Sequence, residues 1–199
     1  VSTVAVVAYG AGNVASVRFA LERLGAEVRL VSTAAEIEAA ERLILPGVGA
    51  AGYAMARLTE LGLSEAIRAF PRPLLGVCLG QQLLFERSDE GEAEMLGLIP
   101  GRVRRMEPGP SRPVPHMGWS RLEFVGDDPL LDGLGDEAWA YFVHGYVCPD
   151  GPATLAKAEY GGAVPAVVRA GNRWGCQFHP ERSSAAGARI LKNFLELRA

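Results

Sequence analysis

The sequence predicts an α/β fold: a doubly wound, mostly parallel sheet with helices on both faces, and an antiparallel, β-rich elaboration in the C-terminal half. Three observations lead there. Short apolar runs alternate with helical patterns from Val4 to about Arg87. One of those runs, Leu74-Leu75-Gly76-Val77-Cys78, passes through a Gly-x-Cys-x-Gly turn straight into a helical pattern. After Gly91 the texture changes, Pro and Gly become frequent, and short strand patterns follow one another.

Taken in order, Val4 to Tyr9 reads as a buried strand and Gly10-Ala11-Gly12-Asn13 as a turn. Val14 to Leu24 is an amphipathic helix closed by Gly25. Val28–Val31 is a second strand, and Thr33 with Glu36 forms a capping box for a short helix. Arg42–Leu45 is a third strand, stopped by Pro46-Gly47-Val48-Gly49, with helices following around Tyr53–Leu58 and Leu63–Ala69. The helix after Cys78 is expected to run to about Arg87. Strands are then expected at Leu98–Met106, Arg121–Val125, Ala138–Val143, Leu155–Glu159, Ala166–Ala170 and Arg173–Phe178, with Gly171-Asn172 as a hairpin turn. Ser183 to Leu197 closes the chain as a helix. No linker or repeat divides it, so residues 1–199 are expected to form one domain.

Composition narrows the function. The chain has 199 residues, 49% of them hydrophobic, and a net charge of −3. No stretch approaches the ~18 uncharged apolar residues of a membrane span. The run Val4–Ala8 is too short for a signal-peptide core and lacks a basic flank, so a cytoplasmic location is expected. Without a basic block, neither nucleic acid nor an acidic membrane is an expected partner. Three cysteines, at 78, 148 and 176, do not make a disulfide framework.

Cys78 carries the chemistry. A strand, a sharp turn and a helix around Gly-x-Cys-x-Gly is the pattern of a nucleophile elbow with Cys in place of Ser. Gly76 and Gly80 flank the Cys where side chains would collide as strand and helix cross. A thiol at a helix start is stabilised as thiolate and needs a base. Gln82, one turn on, faces the same mouth. The base stands in Gln177-Phe178-His179-Pro180-Glu181, where an extended segment turns His179 and Glu181 to one side, roughly 6–7 Å apart. His-x-Glu alone is more often a surface pair; joined to the elbow it supplies the roles of a Cys–His–Glu triad.

Other constellations are weaker. Gly10-x-Gly12-x-x-Ala15 follows a strand as a dinucleotide fingerprint does, but Val31-Ser32-Thr33 stand where that motif needs an acid. Cys176 and His179 have Cys-x-x-His spacing, yet on a strand they face opposite sides, so no metal is expected. His144, at a strand end, reads as either structural or substrate-wall. His116 and Trp119 lie in Pro113-Val114-Pro115-His116-Met117-Gly118-Trp119, read as a packed loop.

Gly76–Leu84 together with His179-Pro180-Glu181 resembles the class I (triad) glutamine amidotransferases. Tyr9–Asn13, Leu45–Gly49, Pro115–Trp119, Tyr141–Tyr146 and Gln177–Ser184 narrow the resemblance to the glutaminase subunits that serve imidazole glycerol phosphate synthases. It spans nearly the whole chain. It implies that Cys78 attacks the glutamine carboxamide, that His179 moves the proton, that Glu181 orients His179, and that water then hydrolyses a γ-glutamyl thioester. It further implies an oxyanion hole from the Leu79 N–H and one of Gly47, Val48 or Gly49, and glutamine contacts from Gly80, Gln82, Glu90, His144, Gly145 and Tyr146. No cofactor is implied. The implied partner is a (β/α)8-barrel cyclase subunit, in a heterodimer that passes ammonia inward, with Asn13, His116, Met117, Trp119 and Arg182 on the shared face. The sequence departs from the family pattern at Ala8, Ser120 and Arg182, where Asp, Asn and Lys are common. A glutaminase for another ammonia-using synthase, or a related Cys–His–Glu hydrolase, fits the same triad.

Overall fold

The computed structural model describes residues 2–197. In chain order the elements are β1 (Thr3–Val7), α1 (Val14–Arg23), β2 (Glu27–Val31), α2 (Ala34–Ala39), β3 (Leu43–Gly47), α3 (Ala51–Glu60), α4 (Leu63–Ala69), β4 (Leu74–Cys78) and α5 (Leu79–Leu83). There follow β5 (Phe85–Ser88), β6 (Ile99–Arg105), β7 (His116–Arg121), β8 (Glu123–Phe124), β9 (Trp139–His144) and β10 (Tyr146–Val147). The last are β11 (Thr154–Glu159), β12 (Ala163–Ala170), β13 (Arg173–Cys176) and α6 (Ser184–Glu196).

An eight-stranded sheet in the order β2-β1-β3-β4-β13-β12-β11-β8 forms the centre. From β2 to β13 neighbours are parallel, and beyond β13 they are antiparallel. The inner parallel strands β1, β3 and β4 are almost wholly apolar because both faces are covered, whereas β2 at the edge carries the exposed Glu27 and Arg29. Val4 and Val6 of β1, Ile44 of β3 and Leu75 and Val77 of β4 point to one side, with α1 and α6. Ala5, Val7, Leu43, Leu45 and Leu74 point to the other, with α2, α3 and α4. The capping box stands as the sequence predicts: Thr33 Oγ1 accepts from the Glu36 N–H and Glu36 Oε2 from the Thr33 N–H.

The helix after Cys78 is shorter than its pattern suggests and ends at Leu83. Leu83 and Leu84 turn their carbonyl groups to the N–H groups of Leu96, Leu98 and Ile99 instead of to a further helical turn. Phe85–Ser88 then pairs with β6, and β10 completes this second sheet. The segment read as a loop at 113–119 becomes a strand from His116, in an antiparallel ribbon of β7 with β9. Arg121 closes that ribbon, so the strand expected at Arg121–Val125 is reduced to Glu123–Phe124.

Candidate active site

Cys78 ends β4 with φ 56° and ψ −111°. Such backbone costs a non-glycine residue of order 1–3 kcal/mol and persists only where the surroundings enforce it. Here the enforcement is steric. A Cβ on Gly76 would stand 2.4 Å from the Gly80 carbonyl oxygen, and one on Gly80 only 1.9 Å from that of Leu45. The turn therefore closes with glycine on both sides of the cysteine and leaves the thiol at the C-terminal edge of the parallel strands, where α/β sheets place their sites. The Cys78 Sγ lies 3.7 Å from the Val143 carbonyl oxygen and 3.9 Å from Gln177 Nε2.

A turn, and not the strand pleat, unites His179 with Glu181. His179 is extended, Pro180–Arg182 forms a 3-10 turn, and the carboxylate comes back to the imidazole with Nδ1···Oε1 at 2.8 Å. Both side chains are buried. The main chain of His179 is clamped to β9. Its N–H donates to Tyr141 O at 3.0 Å, while Ser183 Oγ donates to His179 O at 2.7 Å and accepts from the Tyr141 N–H at 2.9 Å. Burial pulls the imidazole pKa down, but the Cys78 sulfur and the Glu181 carboxylate outweigh it and raise the pKa to about 10. The ring rests as an imidazolium at neutral pH, between the Glu181 carboxylate and the Cys78 sulfur. Burial pushes the other two thiols the opposite way, Cys148 up to about 12 and Cys176 well above its usual value.

Cys78 and His179 open into a pocket of about 300 Å³, with Val48, Gly49, Leu79, Gln82, Glu90, His144, Gly145 and Tyr146 in its wall. Gly47 and Gly80 lie outside that wall. Gly47 ends β3 with its Cα against Leu79 and Gly80, and Gly80 lies beneath the Leu45 carbonyl, so the missing side chain at each makes room for packing. The loop after β3 is held at its ends. Tyr9 Oη donates to Pro46 O at 2.9 Å, and Glu90 Oε2 accepts from the Ala51 N–H at 2.8 Å. Burial and the charge at Cys78 raise the Tyr9 pKa, which keeps its hydroxyl a donor.

Of the residues assigned to a shared face, Met117 and Trp119 are 61% and 49% exposed on β7, Arg182 lies over the Tyr141 ring, and Asn13 caps α1. His116 is a correction. It is 1% exposed, stacked between Phe142 and Tyr160 and bonded to His144, because alternation along β7 turns it inward. The sequence reading also passed over Gln177 and Ser183. Gln177 stands two residues before His179, and that spacing is the signal that puts both on one side of an extended segment.

Fold and site together define a class: an α/β protein with a Cys, a His and a Glu gathered at the end of a parallel sheet, the arrangement of a thiol-dependent hydrolase. The sequence pattern of the family Glutamine amidotransferase class-I matches residues 5–197, and the chain belongs to that family. The chain is 55% identical over 194 residues to the imidazole glycerol phosphate synthase subunit HisH of Xanthomonas axonopodis pv. citri, covering 98% of this chain and 97% of that one. It is 54% identical over 196 residues to the subunit of the same name from Xylella fastidiosa strain Temecula1, covering 98% of each. Among solved structures, a glutamine amidotransferase crystal structure superposes with a TM-score of 0.75 at 26% identity over 97% of each chain. PurLQS from Thermotoga maritima shares the fold, with a TM-score of 0.72 at 20% identity over 98% of each chain.

Proposed function

We infer that the chain is the glutaminase subunit of an imidazole glycerol phosphate synthase, a cytoplasmic enzyme of histidine biosynthesis. In this reading it releases ammonia from glutamine for a (β/α)8-barrel cyclase subunit. The near full-length identity to relatives of that name supports the assignment. The observation that carries the chemistry is the 2.8 Å bond from His179 to Glu181 beside a Cys78 held at φ 56° in one pocket.

With its proton already held on the His179 imidazolium, the Cys78 sulfur attacks the carboxamide carbon of glutamine as a thiolate. The oxyanion of the tetrahedral intermediate takes N–H groups from Leu79 and from the Val48–Gly49 segment. When it collapses, the C–N bond breaks, His179 protonates the leaving nitrogen and ammonia departs, leaving a γ-glutamyl thioester. Water, deprotonated by His179, attacks the thioester carbon, and glutamate leaves as the thiol re-forms. Glu181 keeps the ring turned toward the sulfur throughout. Gln82, Glu90 and the His144–Tyr146 segment bind the glutamine. Met117, Trp119 and Arg182 face the cyclase.

Limiting iodoacetamide, followed by mass spectrometry and an assay of glutamate release in the complex, tests this site. The expected result is label on Cys78 ahead of Cys148 and Cys176, with activity lost in proportion. Full labelling of Cys78 with glutamate release intact would refute it.

A further inference from the structure

Gln177 has no place in the triad, yet its side chain reaches into it. It is fully buried, and its own N–H is already bound to Ala166 O at 2.9 Å. The orientation of its carboxamide follows from one group that has no freedom. The Tyr146 carbonyl oxygen only accepts, so the Gln82 atom 3.1 Å from it is Nε2. The second Nε2 proton of Gln82 is directed to Gln177 at 2.9 Å, so Gln177 presents Oε1 there. The remaining end of Gln177 is Nε2, and it faces the Cys78 sulfur at 3.9 Å. With both Nε2 protons engaged, Gln82 has its Oε1 left for the pocket that it lines.

We propose that Gln177 is a positioning residue for glutamine hydrolysis: its Oε1 fixes Gln82 with an acceptor turned toward the N–H groups of the substrate, and its Nε2 directs a donor at the Cys78 sulfur. The proposal rests on Cys78 as nucleophile and extends that reading to a residue outside the triad. A carboxamide with both ends bound has a single orientation, so one side chain ties the group that recognises the substrate to the atom that attacks it. Gln81 provides the contrast. It is just as buried, but its Nε2 is turned away from the pocket, to Pro165 O at 3.0 Å and Cys148.

The test compares Gln177→Met, Gln177→Glu and Gln81→Met in the complex with the cyclase subunit. Gln177→Met removes both ends; the KM for glutamine is expected to rise at least tenfold, kcat to fall at least tenfold, and iodoacetamide labelling of Cys78 to slow at least threefold. Gln177→Glu keeps an acceptor toward Gln82 and is expected to hold KM within threefold of wild type. Gln81→Met is expected to leave kcat and KM within threefold. Gln177→Met with wild-type KM and labelling rate overturns the proposal, as does an equal rise in KM for Gln177→Glu. If a Gln177 variant fails to fold, the wild-type protein decides. Its Gln177 side-chain ¹⁵N–¹H signals are expected to shift when Cys78 is alkylated while those of Gln81 stay, and an unmoved Gln177 signal overturns the proposal. Wild-type glutamate release that survives full alkylation of Cys78 defeats the nucleophile assignment itself, a result separate from all of these.

Discussion

His116 Nδ1 lies 3.0 Å from His144 Nε2, and the Tyr146 carbonyl decides which of them carries the proton. That carbonyl accepts from His144 Nδ1 at 2.8 Å, so His144 is protonated there and presents a bare Nε2 to His116. His116 is then the donor at Nδ1, and its Nε2 takes the Ser120 hydroxyl proton at 2.9 Å. Ser120, one of the departures from the family pattern, thus finds work as the donor at the end of this line. The same Tyr146 carbonyl holds Gln82, so the line from β7 ends on the pocket wall.

Both rings are neutral in the fold, and burial lowers each pKa to about 4; at His144 the bond to Tyr146 opposes the shift only in part. The unfolded chain titrates near 6.5, so between about pH 4 and 6.5 it binds more protons than the folded chain. Their contribution is whole above about pH 6.5 and is lost as pH falls toward 4. His179 acts with the opposite sign: its contribution is whole below about 6.5 and is lost as pH rises toward about 10. Unfolding free energy is expected to peak near pH 6.5–7 and, between pH 7 and 5, to fall by about 2 kcal/mol per ring from His116 and His144. Urea titrations of wild type and His116→Asn check this; an acid limb of equal steepness in both contradicts it.

Gly80→Ala is expected to cost more than about 3 kcal/mol, since its Cβ would meet the Leu45 carbonyl at 1.9 Å and backbone cannot yield as a side chain does. A urea midpoint shift worth less than about 1 kcal/mol would show that the elbow has slack.

Trp119→Ala is expected to leave the lone subunit folded, with stability changed by less than about 1 kcal/mol, because the ring is 49% exposed and meets Tyr141 edge-on at 5.9 Å. Its affinity for the cyclase subunit is expected to fall by about 2 kcal/mol or more, as for an aromatic anchor. Titration calorimetry showing unchanged affinity would remove Trp119 from the shared face.

The lone subunit is expected to be nearly inactive, with the Val48–Gly49 peptide turned by the partner to complete the oxyanion hole. One such donor is worth about 3 kcal/mol, or ~100-fold in rate. Gly47 is a poor place to test this, because a Cβ there would strike Leu79 at 2.9 Å and report packing. Gly49 is better placed: it has φ +89° and open space around it. Gly49→Ala therefore meets no protein atom but disfavours the positive φ, and it is expected to cut stimulation by the cyclase at least tenfold with the KM for glutamine within threefold of wild type. Full activity in the lone wild-type subunit, or normal stimulation of Gly49→Ala, contradicts the gate.

The alternation of apolar runs and amphipathic helices made the parallel half of the fold legible, because strands buried on both faces write their burial into every residue. The elbow was legible for a steric reason, since Gly76 and Gly80 admit no side chain. What stayed hidden depends on contacts far along the chain. Leu83-Leu84-Phe85 looks like helix continuation until Leu96–Ile99 arrives to take its carbonyls. His116 looks like a loop residue because two prolines and Gly118 obscure a strand that exists only by pairing with β9. His179 and Glu181 meet at 2.8 Å, but through a turn that local alternation does not encode.

In the synthase, Cys78 is expected to make ammonia and to do nothing else. The most direct measurement is imidazole glycerol phosphate formation by the intact complex carrying Cys78→Ala, supplied in turn with glutamine and with ammonium salt. The expected result is no detectable synthesis from glutamine and synthesis from ammonia at the wild-type rate. Glutamine-dependent synthesis that persists, or the loss of both activities in a complex shown to be assembled, would contradict it.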